Sequence, residues 1–241
     1  MGKNNIVKIV CTAAIGIATF SNSFAQHKKH SWDVIDTAGI VSSDTIKKDG
    51  ITLVFINKDP NFDPAVAKRM EETFFTIYPK ECKIYNPKSR KDVTMFIDPT
   101  YDGVAATGGG LMRVNPEWMH KHPEDIDVVT HEAMHIVQGY PRYEPIWVTE
   151  GIADYVRATL GVDNAGANWK LPDYNPKQSY KNSYRITARF FIWLTKNKNK
   201  LIIEKLDAAM RDNTYTDAFW KNQTGKTIDE LWAEYGANPV I

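Results

Sequence analysis

The chain has 241 residues, 43% of them hydrophobic and 24% charged, which suits one sizeable core or two closely packed subdomains and gives no sign of disorder or a repeat array. Its formal net charge is +1; setting aside Lys3 and Lys8 of the leading segment leaves 28 of the 30 basic residues against 29 acidic ones, or −1. So near-neutral a chain offers no electrostatic reason to expect nucleic acid or an anionic membrane as partner.

Residues 1–25 stand apart. Lys3 and Lys8 are their only charges, an apolar stretch runs from Ile9 to Phe20, and Ser23-Phe24-Ala25 supplies small residues before a cut. This predicts a secretory signal peptide cleaved after Ala25, a mature domain over residues 26–241, and a periplasmic or extracellular location. The apolar run is too short to span a bilayer, and no later stretch is long and apolar enough, so no integral membrane segment is expected in the mature chain. Cys11 lies early in that run, not at its end where a lipid-attachment cysteine would sit. Cys82 then has no intrachain partner, which excludes a disulfide framework and predicts a buried, inert thiol.

Residues 26–50 read as a polar arm. Ile51–Ile56 reads as a buried strand. Asp63-Pro64 opens a helix expected to run to about Ile77, with Pro79 ending it. Val93–Ile97 is a second strand, and Gly108-Gly109-Gly110 precedes a short extended piece, Leu111–Val114. The glycine run lacks the lysine and helix of a phosphate loop; it suits a sheet edge where a substrate backbone comes close. Lys88, Arg90 and Lys91 beside Pro87 read as a solvated loop.

The stretch 122–160 carries the chemistry. His131-Glu132-Ala133-Met134-His135 is H-E-x-x-H. At about 100° of rotation per residue, His131, Glu132 and His135 fall on one arc of a helix, and Ile126, Val129, Ala133, Ile136 and Val137 on the opposite one. Two solvated histidines on an amphipathic helix are the plain alternative. The apolar back face, a following helix with acidic residues one turn apart, and the export signal argue instead for a zinc hydrolase site. Pro123, Glu124 and Asp125 supply first-turn chemistry for this helix, which ends at Gly139. Pro145 begins the next, running to Leu160, with Glu150 and Asp154 on one face. His120 and His122 read as surface residues.

Catalytic zinc takes three protein ligands and leaves a position for water. A third histidine in the H-E-x-x-H-x-x-G-x-x-H pattern would fall at Pro141, and the glycine position holds Gln138, so that pattern is excluded. Glu150 or Asp154 remains. Glu132 is placed to act as general base on the metal-bound water. At the end of the long loop Asp163–Lys181 and just beyond it, Tyr180, Tyr184, Arg185 and Arg189 are candidate donors to the oxygen on which negative charge grows, with Tyr184 favoured. Helices are expected over 184–196, about 200–211, 214–222 and 228–235, the last with a Thr227/Glu230 capping box. Strands early and helices after residue 122 predict an α+β fold with the cleft between a sheet-bearing and a helical half.

The run Trp147-x-x-Glu150-Gly151-x-x-Asp154 resembles the ligand helix of glutamate-type zincins such as thermolysin and the gluzincin aminopeptidases. That resemblance implies Glu150 as third zinc ligand and Asp154 as hydrogen-bond partner of a ligand histidine. More broadly, Asp102-Gly103-Val104-Ala105, the His131–His135 run, Glu150–Arg157, Tyr184–Phe190 and Gly225–Trp232, in this order, resemble the basic secretory proteins of plants and bacteria, grouped with zinc-dependent peptidases. The resemblance implies a zincin-like fold, one catalytic Zn2+, a protein or peptide substrate, and Tyr184 near the cleft. Unlike the family name, this chain is not basic, so charge-driven partners do not carry over. A catalytically silent protein that holds peptides or glycans is the alternative, disfavoured by the intact Glu132; a zinc hydrolase of non-peptide amides is a third.

Overall fold

The structure, a computed structural model, describes Trp32 and residues 34–241; the expected leader over residues 1–25 lies outside them. A β-hairpin opens the sheet. Strand β1 (Ser42–Lys48) turns into β2 (Ile51–Asn57) through Asp49 and Gly50, both with positive φ (51° and 77°), as a two-residue hairpin turn of the favoured twist requires. β1 belongs to what reads in sequence as a polar arm: it contributes no buried residue, so hydrophobic periodicity is silent there, and the Asp-Gly pair is its only local signal.

The sequence predicts that Pro79 ends the first helix. Instead α1 (Pro64–Ile84), capped by Asp63 (Oδ1 accepting from Ala65 N at 2.8 Å), continues through Pro79. A proline inside a helix forfeits one backbone hydrogen bond and crowds the preceding turn. The last turns offset this by burying Tyr78 and Cys82, and the Tyr78 hydroxyl donates to Arg90 O at 2.7 Å. Cys82 is a free, buried thiol, as its isolation predicts. Helix α1 carries the chain from β2 to β3 (Asp92–Ile97), which pairs parallel to β2. β4 (Ala105–Gly108) and β5 (Leu111–Val114) form a second antiparallel pair, with β5 parallel to β3. Among the described residues the strand order is β1-β2-β3-β5-β4, so β4 is an edge strand, as the glycine run suggests.

A short helix, α2 (Pro116–Lys121), is too brief for periodicity to announce; Asn115 caps it. α3 (Val128–Gln138) begins later than the sequence implies. Pro123, Glu124 and Asp125 lie in turns before it, and Asp127 takes the role at its start. The Asp127 carboxylate accepts from Thr130 Oγ1 (2.6 Å), Val162 N (2.9 Å) and Asp163 N (2.6 Å), fastening the start of α3 to the end of α4 (Ile146–Leu160). Helices α5 (Tyr184–Asn197), α6 (Ile202–Arg211), α7 (Ala218–Thr224) and α8 (Ile228–Ala237) complete the fold. α7 starts four residues past the expected 214; α8 has the predicted capping box. α4 and α5 approach closely at Gly151, where a Cβ would lie 2.4 Å from Thr187 Cγ2.

Glu81, on the last turns of α1, is fully buried, and neither carboxyl oxygen has a hydrogen-bond partner among the described residues. Burial holds its pKa well above the ordinary 4.5, against a smaller opposing pull from His131. A folded-state pKa above the unfolded one means a contribution intact below pH 4.5 and lost as pH rises toward the folded value. Glu81→Met keeps the volume and removes the titrating group. It should raise stability by about 1–3 kcal/mol near neutrality, with the gain shrinking as the pH falls toward 4.5. Denaturant melts of both proteins across that range measure it, and a gain independent of pH would refute the account.

Candidate metal centre and active-site cleft

α3 is buried on nearly every side, and His131 (8% exposed), Glu132 (4%), Glu150 (3%) and Asp154 (4%) are drawn in with it. α3 ends at Gly139, as predicted, in a left-handed turn with φ of 51°, and the chain returns so that α4 lies alongside. Ligand atoms of His131, His135 and Glu150 then lie within 4.8 Å of one another. His131 Nε2 is 3.1 Å from both Glu150 Oε2 and His135 Nε2, and His135 Nε2 is 3.6 Å from Glu150 Oε2. Donors bound tetrahedrally to zinc at about 2.0–2.1 Å would be separated by roughly 3.3 Å. The spacing fits such an ion.

The outward nitrogens are equally specified. His131 Nδ1 donates to Asp154 Oδ1 at 2.7 Å, and His135 Nδ1 donates to Gln138 Oε1 at 2.7 Å. A carboxylate or amide oxygen can only accept here, so each ring carries a proton on Nδ1 and turns Nε2 toward Glu150, where it donates when protonated and would offer a lone pair to a bound cation. Asp154 therefore sits behind His131, outside the trio. Gln138 is held in turn by donating Nε2 to Thr149 O at 2.9 Å, which ties the two helices together. In sequence Gln138 serves only to exclude a pattern; its place one turn past His135 is the signal that it orients that ring.

Electrostatics point the same way. Burial alone would lower the His131 pKa, but the carboxylates of Asp154, Glu150 and Glu132 outweigh it and hold it well above the usual value. Burial would raise Glu150, yet hydrogen bonds from His131 and His135 bring it down to about 2. The pocket is negative enough to bind positive charge at its centre, a proton or a cation.

Glu132 faces the sheet, where its Oε2 accepts from Thr107 Oγ1 of β4 at 2.7 Å. No sequence pattern identifies Thr107; only the pairing of β4 at the sheet edge brings it there. Tyr184 follows Ser183, whose φ of 63° and ψ of −175° are a nearly glycine-only conformation, and is itself left-handed at φ 50°. That turn lays the Tyr184 ring parallel to His131 at 6.2 Å between centroids. Burial first, then the charges of Glu150, Asp154 and Glu132, push its hydroxyl up to about 12, so it stays a donor. The other candidates lie elsewhere. Tyr180 donates to Asp229, Arg189 reaches Pro239 O, and Arg185 is on the cleft rim. Both expected surface histidines are exposed: His120 pairs with Asp59, and the His122 ring packs against Trp118, tilted by 36° with 4.1 Å between centroids.

These groups line one cleft of about 1280 Å³, bounded by β4, α2, α3, α4 and the 166–169 loop. No helix among the described residues is long and apolar enough to cross a membrane.

No curated protein matches the chain. Among solved structures it is similar to aminopeptidase A of Legionella pneumophila, in complex with aspartic acid: 16% identity, TM-score 0.58, covering 80% of this chain and 27% of that one. It is also similar to an M1 zinc metallopeptidase variant of Deinococcus radiodurans bound to a Tyr-Ser-Ala substrate, at 13% identity, TM-score 0.51, and 80% and 51% coverage. An aminopeptidase N family protein of Idiomarina loihiensis gives 13% identity, TM-score 0.51, and 80% and 46% coverage. The chain thus spans between about a quarter and a half of these proteins, and at such identity the likeness is one of fold: α+β and zincin-like. A family model described as "peptidase of plants and bacteria" matches residues 53–235. Covering most of the chain, that match identifies it as a member of the basic secretory protein family of peptidases.

Proposed function

We propose that the protein is an exported, zinc-dependent metallopeptidase that cleaves peptide bonds with an activated water, using Glu132 as general base. The observation that carries this is the convergence of His131 Nε2, His135 Nε2 and Glu150 Oε2 beside a buried Glu132 in an open cleft. Membership of a peptidase family, and a fold similar to that of the Deinococcus zinc metallopeptidase, favour zinc as the ion. Export rests on the pattern of residues 1–25, with residues 26–241 as the mature peptidase domain.

Held by His131, His135 and Glu150, zinc would supply a Lewis acid that brings the pKa of water to about 7 and polarises a carbonyl. The protein does the rest. Asp154 and Gln138 fix the tautomers of the two imidazoles. Thr107 occupies one oxygen of Glu132 and leaves Oε1 to accept the proton of the attacking water and return it to the departing amine. The Tyr184 hydroxyl, protonated throughout the neutral range, donates to the carbonyl oxygen as charge accumulates there.

Glu132→Gln should retain metal and lose activity by roughly 10²–10⁴-fold, measured as turnover of a peptide library beside metal content; an active variant refutes the base. Glu150→Ala should abolish zinc retention, whereas Asp154→Ala should weaken it about 10–100-fold; metal titration of both reads this, and the reverse order would exchange their roles. Tyr184→Phe should lower kcat by roughly 10–10³-fold with KM little changed; an effect confined to KM would make Tyr184 a binding residue only.

A further inference from the structure

Five carboxylates line the cleft among the described residues, and each is already engaged. Glu124 pairs with Arg69 at 2.7 Å, and Asp125 takes Arg157 on one oxygen and Trp118 Nε1 on the other at 2.8 Å. Glu132 holds Thr107, and Glu150 and Asp154 hold His131. Each already shares its charge with a partner, so the ammonium at the start of a peptide would have to compete for it.

The cations are the opposite case. Arg185 is exposed on the rim and reaches only the Lys170 carbonyl, at 3.4 Å; Lys121, exposed across the same cavity, has no acidic partner among the described residues. Arg157 is 5% exposed and lines the cavity. Its Nε donates to Asn164 and its Nη2 to Asp125, while Nη1 has no acceptor among the described residues. All three line the same cavity, and a chain of contacts links them. Arg185 touches Lys170, the Trp169 ring lies 4.5 Å from the Arg157 guanidinium carbon, and Arg157 connects through Asp125 to Trp118 on α2, the helix that ends in Lys121. With the Trp118 and Trp169 indoles, the cavity lining presents two exposed cations, Lys121 and Arg185, and the remaining donor of the paired Arg157, in a concave site where charge pairing is less screened than on an open surface.

We propose that this end of the cleft is a subsite for a carboxylate of the peptide substrate, from an acidic side chain or the peptide's own C-terminus, and that a free amino terminus is not required. The proposal rests on the peptidase reading for its ligand, but binding tests it apart from turnover.

Four matched peptides would be titrated against the Glu132→Gln protein by calorimetry: one neutral and blocked at both ends, one with an internal Gln replaced by Glu, one with a free C-terminal carboxylate, and one with a free amine. At least one carboxylate peptide should bind about tenfold tighter than the neutral one, and which one does identifies the source. The free amine should gain nothing. Adding Arg185→Gln and Lys121→Gln, both exposed and so compatible with folding, should remove the advantage and leave the neutral peptide unaffected. Equal binding of all four, tightening by the amine, or a preference that survives the double substitution overturns the subsite. Digestion of the same peptides by the unsubstituted protein separates the two claims. Carboxylate preference without cleavage would sink the peptidase reading alone, and cleavage without preference would sink the subsite alone.

Discussion

Burying three carboxylates around two imidazoles is tolerable only if their charges are balanced within a few ångströms. Glu132, Glu150 and Asp154 are each at most 4% exposed, and an unpaired charge at such depth costs several kcal/mol. The surrounding architecture meets that requirement. Asp127 fastens the start of α3 to the end of α4, Gln138 bridges from His135 to Thr149, and the Asp125–Arg157 pair binds the approach to α3 to the far half of α4. Remove any of these, and two helices that must present their polar faces to each other lose the geometry that makes this bearable.

Among the described residues the sheet reaches the cleft through its edge strand, β4. β4 carries Thr107 to Glu132 and leaves the remainder of that strand facing the cleft, so the proposed base takes a hydrogen bond from the sheet side. The proposed base shares α3 with His131 and His135, and the sheet adds one hydrogen bond to it from the other side of the cleft.

Much of this is legible in sequence, for identifiable reasons. α3 and α4 announce themselves because an apolar stripe at helical period backs a polar one, and their ends carry Gly139, Pro145 and Gly161. β2 and β3 are read from β-branched and aromatic runs. What escapes is what periodicity cannot encode: β1 with no buried residue, a six-residue α2, and an α1 whose burial of Tyr78 and Cys82 overrides Pro79. In the site, the histidines and carboxylates are separated by helical spacing and so visible, whereas Thr107 reaches Glu132 across 25 positions of chain through strand pairing. Tyr184 is in view from its place after the long loop, but the left-handed pair that aims it, at Ser183 and Tyr184, has no glycine to mark it.

Gly151 gives the centre its mechanical registration. It follows Glu150 directly, and Thr187, which fills the space a side chain would take, is three residues beyond Tyr184 at the head of α5. One van der Waals contact therefore indexes the acidic ligand candidate against the phenol on the facing helix. Substituting a bulkier residue at 151 would act like a shim between two gears, displacing both teeth together while leaving every polar group chemically intact.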